Sequence, residues 1–305
     1  MKRKVIKQGN GTLTMTLPKK WADSVGLTEN SELDIIEQGH SIQVTSSSAQ
    51  KGTQIEISLD SNNRTYIRQV LNNIYLTGYD EVNVIDVEPG SLKTIREVIE
   101  DLLGYQIIQY SRNSCLIRNL SKEDDTEFSA LLRRIFLLVK LQLDLMIEDF
   151  SGQKLDNHQQ LFEIGKSIHR FVYYCRRLLI KTRMFSNYKS TRMYLLITRL
   201  LTISHSVEYL YDSLSGSPVI SKQELEYCKD TAEYFQLFYS LFYQLKHKSI
   251  YKLSEGKEDL LDQRLLKLLS SKSSNHIVIH YCAQIIRDIA RNGGILFTLK
   301  DEHLS

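Results

Sequence analysis

The sequence predicts a multidomain α+β protein: an N-terminal paired β-hairpin module, a small α/β domain and a C-terminal all-α bundle of two three-helix units. Three observations predict it. Polar–apolar alternation and Gly/Asn turns fill the first 45 residues. Strand-like and helix-like stretches interleave between 53 and 120. From Lys122 onward apolar residues recur only at helical spacing. The expected boundaries are 1–47, 53–120 and 122–305.

Val5 and Ile6 belong to a first strand, and Gln8-Gly9-Asn10-Gly11 supplies residues that tolerate positive φ for a turn. Thr12 to Leu17 alternates strictly, which sets Leu13, Met15 and Leu17 on one face and Thr12, Thr14 and Thr16 on the other. Pro18 suits the first position of a helix whose apolar side is Trp21 and Val25 and which Gly26 ends. Leu33–Glu37 and Ser41–Thr45 form a second hairpin around Gln38-Gly39-His40, and the polar run from Thr45 to Gly52 is a linker. A unit this short buries too little apolar surface to fold alone, so it is expected to share its core with a second copy.

Ile55, Ile57 and Leu59 alternate as in a strand, and a helix follows around Arg64–Leu76. Val82–Val87 is the next strand, Leu92–Leu103 a helix ended by Gly104, and strands close the domain near Tyr105–Tyr110 and Cys115–Leu120. That βαβαββ order implies a small mixed sheet with its helices on one face. The remainder gives six helical stretches, 124–150, 156–183, 189–214, 220–249, 257–271 and 274–299. Ser151-Gly152, Ser186-Asn187, Ser215–Pro218, Gly256 and Ser270–Asn275 mark the breaks. Leu132, Ile135, Val139 and Met146, and likewise Leu161, Ile168, Val172, Cys175 and Leu179, carry the apolar stripe of an antiparallel bundle.

The totals bound what the chain does. Its 305 residues are 42% hydrophobic and 25% charged with a net charge of +3, a globular and helix-rich composition whose charge distribution matters more than its sum. No run approaches the ~18 apolar residues of a membrane span, and no apolar segment follows the basic start, so a cytoplasmic location is expected. Cys115, Cys175, Cys228 and Cys282 are widely spaced, as buried thiols rather than a disulfide framework or a zinc knuckle. Nucleophile elbows, phosphate-binding loops and His-Glu-x-x-His are absent, so neither an enzyme nor a cofactor is expected. Glu123, Asp124, Asp125 and Glu127 fit a helix start, where carboxylates favour the dipole.

Two basic regions remain. Residues 1–20 hold six Lys/Arg and no carboxylate. Lys2, Arg3, Lys4 and Lys7 on the first strand and Lys19 and Lys20 on the helix would meet phosphates, while Thr12 and Thr14 could reach DNA backbone or base edges. The alternative is a dimerisation module whose charges aid solubility. Between Ile164 and Val207, nine Lys/Arg stand with no carboxylate, among them Arg170, Arg176, Arg177, Lys181, Arg183, Arg192 and Arg199, interleaved with tyrosines. Such a run is either a solvated helical face or a site for an anion, an acidic partner or DNA backbone. His169, His205 and His280 sit on separate helices and are the only candidates for a metal, though scattered histidines are more often surface or core residues, and no metal is expected.

Gly9-x-Gly11-Thr12, Thr14-Met-Thr-Leu-Pro-Lys-Lys-Trp21, Val25-Gly-Leu27, Glu32-Leu-Asp-Ile35 and Gly39 resemble a SpoVT/AbrB-type (MazE-like) swapped-hairpin domain. That resemblance implies an intertwined homodimer that binds DNA. The Leu-Pro-Lys-x-Trp wording, Tyr75–Asp80, Ile95-Arg96, Leu103-Gly104-Tyr105, Cys115–Leu120, Arg133-Arg134, His169-Arg170-Phe171 and Arg176-x-Leu178 further resemble archaeal PhoU-like phosphate uptake regulators. The family's acidic metal motifs fall on Leu201 and His205, on His280 and Gln284, and on His169. Leucine, glutamine and scattered histidine do not suit hard cations, so the metal site is not carried over and a small anion or protein effector is expected instead.

These readings together predict a homodimeric DNA-binding transcriptional regulator of phosphate uptake or homeostasis with a sensing or docking bundle. A phosphate transporter or signalling protein is a further expected partner. The alternative is a PhoU-like adaptor that docks on a transporter or kinase without binding DNA. An antitoxin holding a toxin with its tail is a third possibility, disfavoured by so large a folded body.

Overall fold

The computed structural model describes residues 2–9, 11–38, 41–46, 53–121, 125–182, 184–214, 218–244, 249–271 and 275–299. The chain divides into two compact units, Met1–Thr53 and Gln54–Ser305.

The first unit holds two separate hairpins. Strand β1 (Ile6–Gln8) pairs antiparallel with β2 (Thr12–Thr14), and β3 (Leu33–Gln38) pairs antiparallel with β4 (Ser41–Ser46). Gly9 and Gly11 adopt φ of +63° and +99°, which a side chain would resist, so the tight reversal needs glycine at both. Helix α1 (Lys19–Ser24) lies between the hairpins, with Pro18 as its cap at ψ 120° rather than as its first helical residue. The ladder of the first hairpin is shorter than the alternation predicts. Only Lys7 of the four early cations lies in a strand; Lys2, Arg3 and Lys4 precede it, and Met15 to Leu17 lie beyond β2. Strand β4 runs on to Ser46, and the rest of the predicted linker, 47–52, lies outside the described residues, as do Asn10, Gly39 and His40.

The second unit opens with β5 (Gln54–Ser58), α2 (Arg64–Thr77), β6 (Glu81–Ile85), α3 (Ser91–Glu100), β7 (Tyr105–Tyr110) and β8 (Cys115–Asn119). The sheet order is β5-β6-β8-β7, with β5 parallel to β6 and the other pairs antiparallel. Val82, Val84, Cys115 and Ile117 are buried against Ile67, Leu71, Ile95 and Val98 of the two helices. The alternate positions are polar and partly exposed: Asn83 donates to Glu56 at 2.7 Å and Arg118 to Glu81 at 2.8 Å. One covered face and one wet face is the layering that period-two alternation encodes. Asn63 caps α2 by accepting from the Tyr66 amide at 3.0 Å, and Gly78 closes it at φ +96°.

Helices α4 (Phe128–Ser151), α5 (His158–Lys181), α6 (Asn187–Ser213), α7 (Lys222–Tyr243) and α10 (His276–Leu299) are the long members of the helical part. Between α7 and α10, α8 (Tyr251–Lys257) continues through a π-helical turn (Glu258–Arg264) into α9 (Leu265–Leu269). One apolar core extends from Phe128 through Phe235 and Phe238 to Leu296, so the helices close on a shared interior rather than on two separate ones. Asp149 ties the first three helices: it accepts from the Asn157 side chain at 2.8 Å and from the Tyr211 hydroxyl at 2.9 Å. Ser221 and Glu224 form a reciprocal cap on α7.

One expectation fails here. The fourth helix ends at Tyr243 and the fifth begins at Tyr251, so Gly256 lies inside a helix instead of breaking one. Its reason for being glycine is contact, because a Cβ there would stand 2.8 Å from the Tyr234 ring. Glu127 caps α4 by position without a side-chain hydrogen bond, and Glu123 and Asp124 lie outside the described residues.

Candidate nucleic-acid interface and the basic helices

In the first hairpin Ile6 stands opposite Thr14, Lys7 opposite Leu13 and Gln8 opposite Thr12. Opposed residues project to the same side, so Thr12 and Thr14 share a face with Ile6 and Gln8, while Lys7 stands beside Leu13. The Thr14 hydroxyl is already turned inward, donating to the Ile6 carbonyl at 3.2 Å. Thr12 is exposed. Lys2, Arg3, Lys4, Lys7, Lys19 and Lys20 are all exposed as well.

The apolar residues of this unit are equally open. Val5, Ile6, Leu13, Met15, Ile35 and Ile42 are each more than half exposed, and Ser46 is the one buried residue described in the unit. An apolar set left in water by a folded chain marks an interaction surface. The unit therefore presents two things together, bare cations and an unburied core.

The basic run of α5 and α6 is not one surface. Arg170 is exposed and lines, with Arg96, Glu100 and Gly104, a cleft of about 510 Å³. Arg177 is fully buried: it donates to the Tyr75 carbonyl and to Asp80, both at 2.8 Å, under the rings of Tyr75 and Tyr105. Lys181 closes on the same carboxylate at 2.6 Å and 2.7 Å. Arg177 and Lys181 thus share the Asp80 carboxylate, and Arg177 is out of reach of solvent. Sequence reasoning missed Asp80, because a partner about a hundred positions away leaves no mark in local charge spacing.

Arg199 donates to the Arg291 carbonyl at 2.7 Å and to Asn292 at 3.3 Å, which ties α6 to α10. Arg192 lies 5.0 Å from the Tyr188 ring centre, and Arg183 lies outside the described residues. Arg176 is enclosed beside Thr198, Tyr173 and Tyr194.

His169 stacks on Tyr173 at 4.1 Å. Burial pulls its imidazole down to about 4; Asp101 opposes that, and His205, Arg68 and Arg176 reinforce it. His205 is lowered by burial and by Arg176. His280 sits apart on α10 beside Tyr281. Among the described residues no three His, Cys, Asp or Glu side chains converge where they could hold a metal ion. All four cysteines are buried thiols, with the sulfurs of Cys228 and Cys282 3.6 Å apart.

A further group escaped the sequence reading. Glu208 of α6 folds over Gly165 of α5 beside Gln142 of α4 and accepts from Ser204 at 3.3 Å. Burial pushes its carboxyl up to about 7, against the Ser204 hydrogen bond, with Asp212 adding to the rise and Gln142 opposing it.

Residues 6–52 match the family model described as Antidote-toxin recognition MazE, bacterial antitoxin. The chain carries an N-terminal MazE/AbrB-type domain. The match covers the two hairpins and α1 with Lys7, Lys19 and Lys20, while Lys2, Arg3 and Lys4 precede it. No curated protein and no solved structure matches the chain significantly. Among the described residues no helix is long and apolar enough to cross a membrane.

Proposed function

We propose that the chain is a DNA-binding transcriptional regulator in which two copies of the MazE/AbrB-type domain pair and hold DNA, while the unit from Gln54 onward senses an effector or docks a partner. The observation that carries this reading is the coincidence, on one small domain of a DNA-binding type, of six exposed Lys/Arg with a set of unburied apolar side chains. Pairing would bury the apolar set, and the cations would then serve two phosphate backbones. The resemblance of Tyr75–Asp80, Leu103–Tyr105 and the α5 sequence to PhoU-like regulators supports phosphate uptake or homeostasis as the controlled process.

Gel shifts with genomic fragments test it. Affinity should fall about 10³-fold between 50 and 200 mM salt if six or more phosphates are contacted. Lys19→Glu with Lys20→Glu should abolish the shift and leave the dimer intact. A protein that retains wild-type DNA affinity with both charges reversed refutes the assignment.

One observation favours a second reading, since the matching model's description names toxin recognition. On that reading the chain captures a small protein toxin. Co-purification with such a toxin and no retardation of DNA would favour it, and the same absence of retardation with a bound transporter or kinase would favour an adaptor.

A further inference from the structure

Arg176 and Arg177 are adjacent on α5, and both are enclosed, at 8% and 0% exposure. Arg177 has a carboxylate. Among the described residues no carboxylate pairs with Arg176. Its hydrogen-bond partner among the described residues is neutral, the Thr198 hydroxyl at 2.6 Å, and its buried Nε has no partner. Burying a guanidinium without a counter-charge costs several kcal/mol by order of magnitude. The acid facing this region, Asp101, is engaged by Arg68 at 3.2 Å.

The surroundings prepare that charge for a ligand. The rings of Tyr173 and Tyr194 lie 5.4 Å and 4.8 Å from the Arg176 carbon centre, within cation–π range. The unpartnered Nε–H lies in the guanidinium plane, the direction in which guanidinium binds oxyanions. Tyr173 and His169 stand one and two turns before Arg176 along α5, and Thr198 and His205 stand on the facing stretch of antiparallel α6. Asn72 of α2 donates to the Tyr173 hydroxyl at 3.4 Å, and its own carbonyl oxygen is buried without a partner. So the cluster offers one bare cation, and imidazoles and an amide oxygen that accept hydrogen bonds.

We propose that Arg176, with His205, His169 and Asn72 around it, binds a small oxyanion that carries its own proton, of the hydrogen phosphate or bicarbonate kind. The negative oxygens meet the Arg176 edge, and the hydroxyl of the anion donates to an acceptor that a fully ionised sulfate or acetate would leave unsatisfied. At 8% exposure Arg176 is out of reach of a bulky acidic partner, so the ligand class is a small ion. The inference rests on the reading of the second unit as the sensing part and names what it senses.

Calorimetric titration of the full chain at neutral pH with inorganic phosphate, bicarbonate, sulfate and acetate in separate arms tests it. Phosphate or bicarbonate should bind, and Arg176→Met should weaken that binding tenfold or more. His205→Gln, a milder change at a half-buried position, should weaken it without unfolding the chain. No binding of either hydroxylated anion by the wild type overturns the proposal, as does unchanged affinity in both variants. Sulfate or acetate binding as tightly overturns the proton-bearing class. DNA retardation measured on the same preparations keeps the readings apart. Intact DNA binding with no anion binding sinks this inference alone, and the converse sinks the regulator assignment.

Discussion

Arg177 donates to Asp80 across 2.8 Å, and its side chain has no exposure to solvent. The contact fastens α5 to the turn after α2, so the small sheet domain and the long helices are held by a buried charge as well as by apolar packing. Gly78 belongs to the same fastening: a Cβ on it would stand 2.9 Å from the Lys181 side chain, which donates to the Gly78 carbonyl at 3.2 Å.

Removing one partner of a buried pair strands the other. Asp80→Asn should therefore cost about 3–5 kcal/mol in urea unfolding. Adding Arg177→Met should recover part of that loss, because the fully buried guanidinium is gone and only Lys181, which reaches solvent, still lacks its carboxylate. A cost below about 1 kcal/mol for the single change would contradict the role given to the pair.

Gly165 is glycine because Glu208 occupies the place of its side chain, with the carboxylate oxygen 1.9 Å from where a Cβ would be. Gly165→Ala should destabilise the protein by about 1–3 kcal/mol. Combining it with Glu208→Ala should restore most of that. If the double variant is as unstable as the sum of the singles, the two residues are not in conflict.

The same carboxyl gives the chain a pH dependence. Its folded value near 7 exceeds the ordinary 4.5, so between those two the folded protein keeps a proton that the unfolded chain has lost. Unfolding free energy should then decline as pH rises through that window. Glu208→Gln should flatten this part of the profile measured by thermal or denaturant melts. Superimposable slopes for variant and wild type would show that Glu208 is not the group responsible.

In the first unit, Leu13 and Ile35 are 68% and 63% exposed. Leu13→Asp with Ile35→Asp should convert the protein to monomer in sedimentation experiments and weaken DNA binding in parallel. A variant that remains dimeric would place the association elsewhere in the chain.

The thiols should be silent in the native state. Burial pushes Cys115 up to about 11 and Cys175 up to about 12, and Cys228 is raised by its hydrogen bond with Cys282 and by burial. A thiol reagent should label none of the four rapidly, and all of them after guanidinium unfolding. Fast labelling of any one would locate an opening the fold does not show.

How much of this was legible depended on the range of the interaction. The βαβαββ order of 53–120 was written locally, because Ile55/Ile57 and Val82/Val84 alternate while Ile67, Leu71, Ile95 and Val98 keep helical spacing. The hairpins of the first unit were legible for the same reason, through Gly9 and Gly11. Pairings between distant elements were not. Arg177 and Lys181 looked uncompensated because Asp80 is remote in sequence, and Gly256 looked like a stop because Tyr234, which fills the space above it, sits on another helix. A glycine that breaks a helix and a glycine that admits a neighbour are the same letter.

The π-helical turn at Glu258–Arg264 is held from both sides, Arg264 pairing with Asp230 of α7 and with Asp259 at 2.9 Å. A turn of that pitch accommodates a residue more than ordinary α-helix does. Shortening the chain by one position there lets the segment relax to regular pitch with α8 and α9 still in phase. The same deletion inside α10 would swing every later side chain by about 100°. Within the helices themselves, this turn is therefore where the loss of one residue disturbs the packing least.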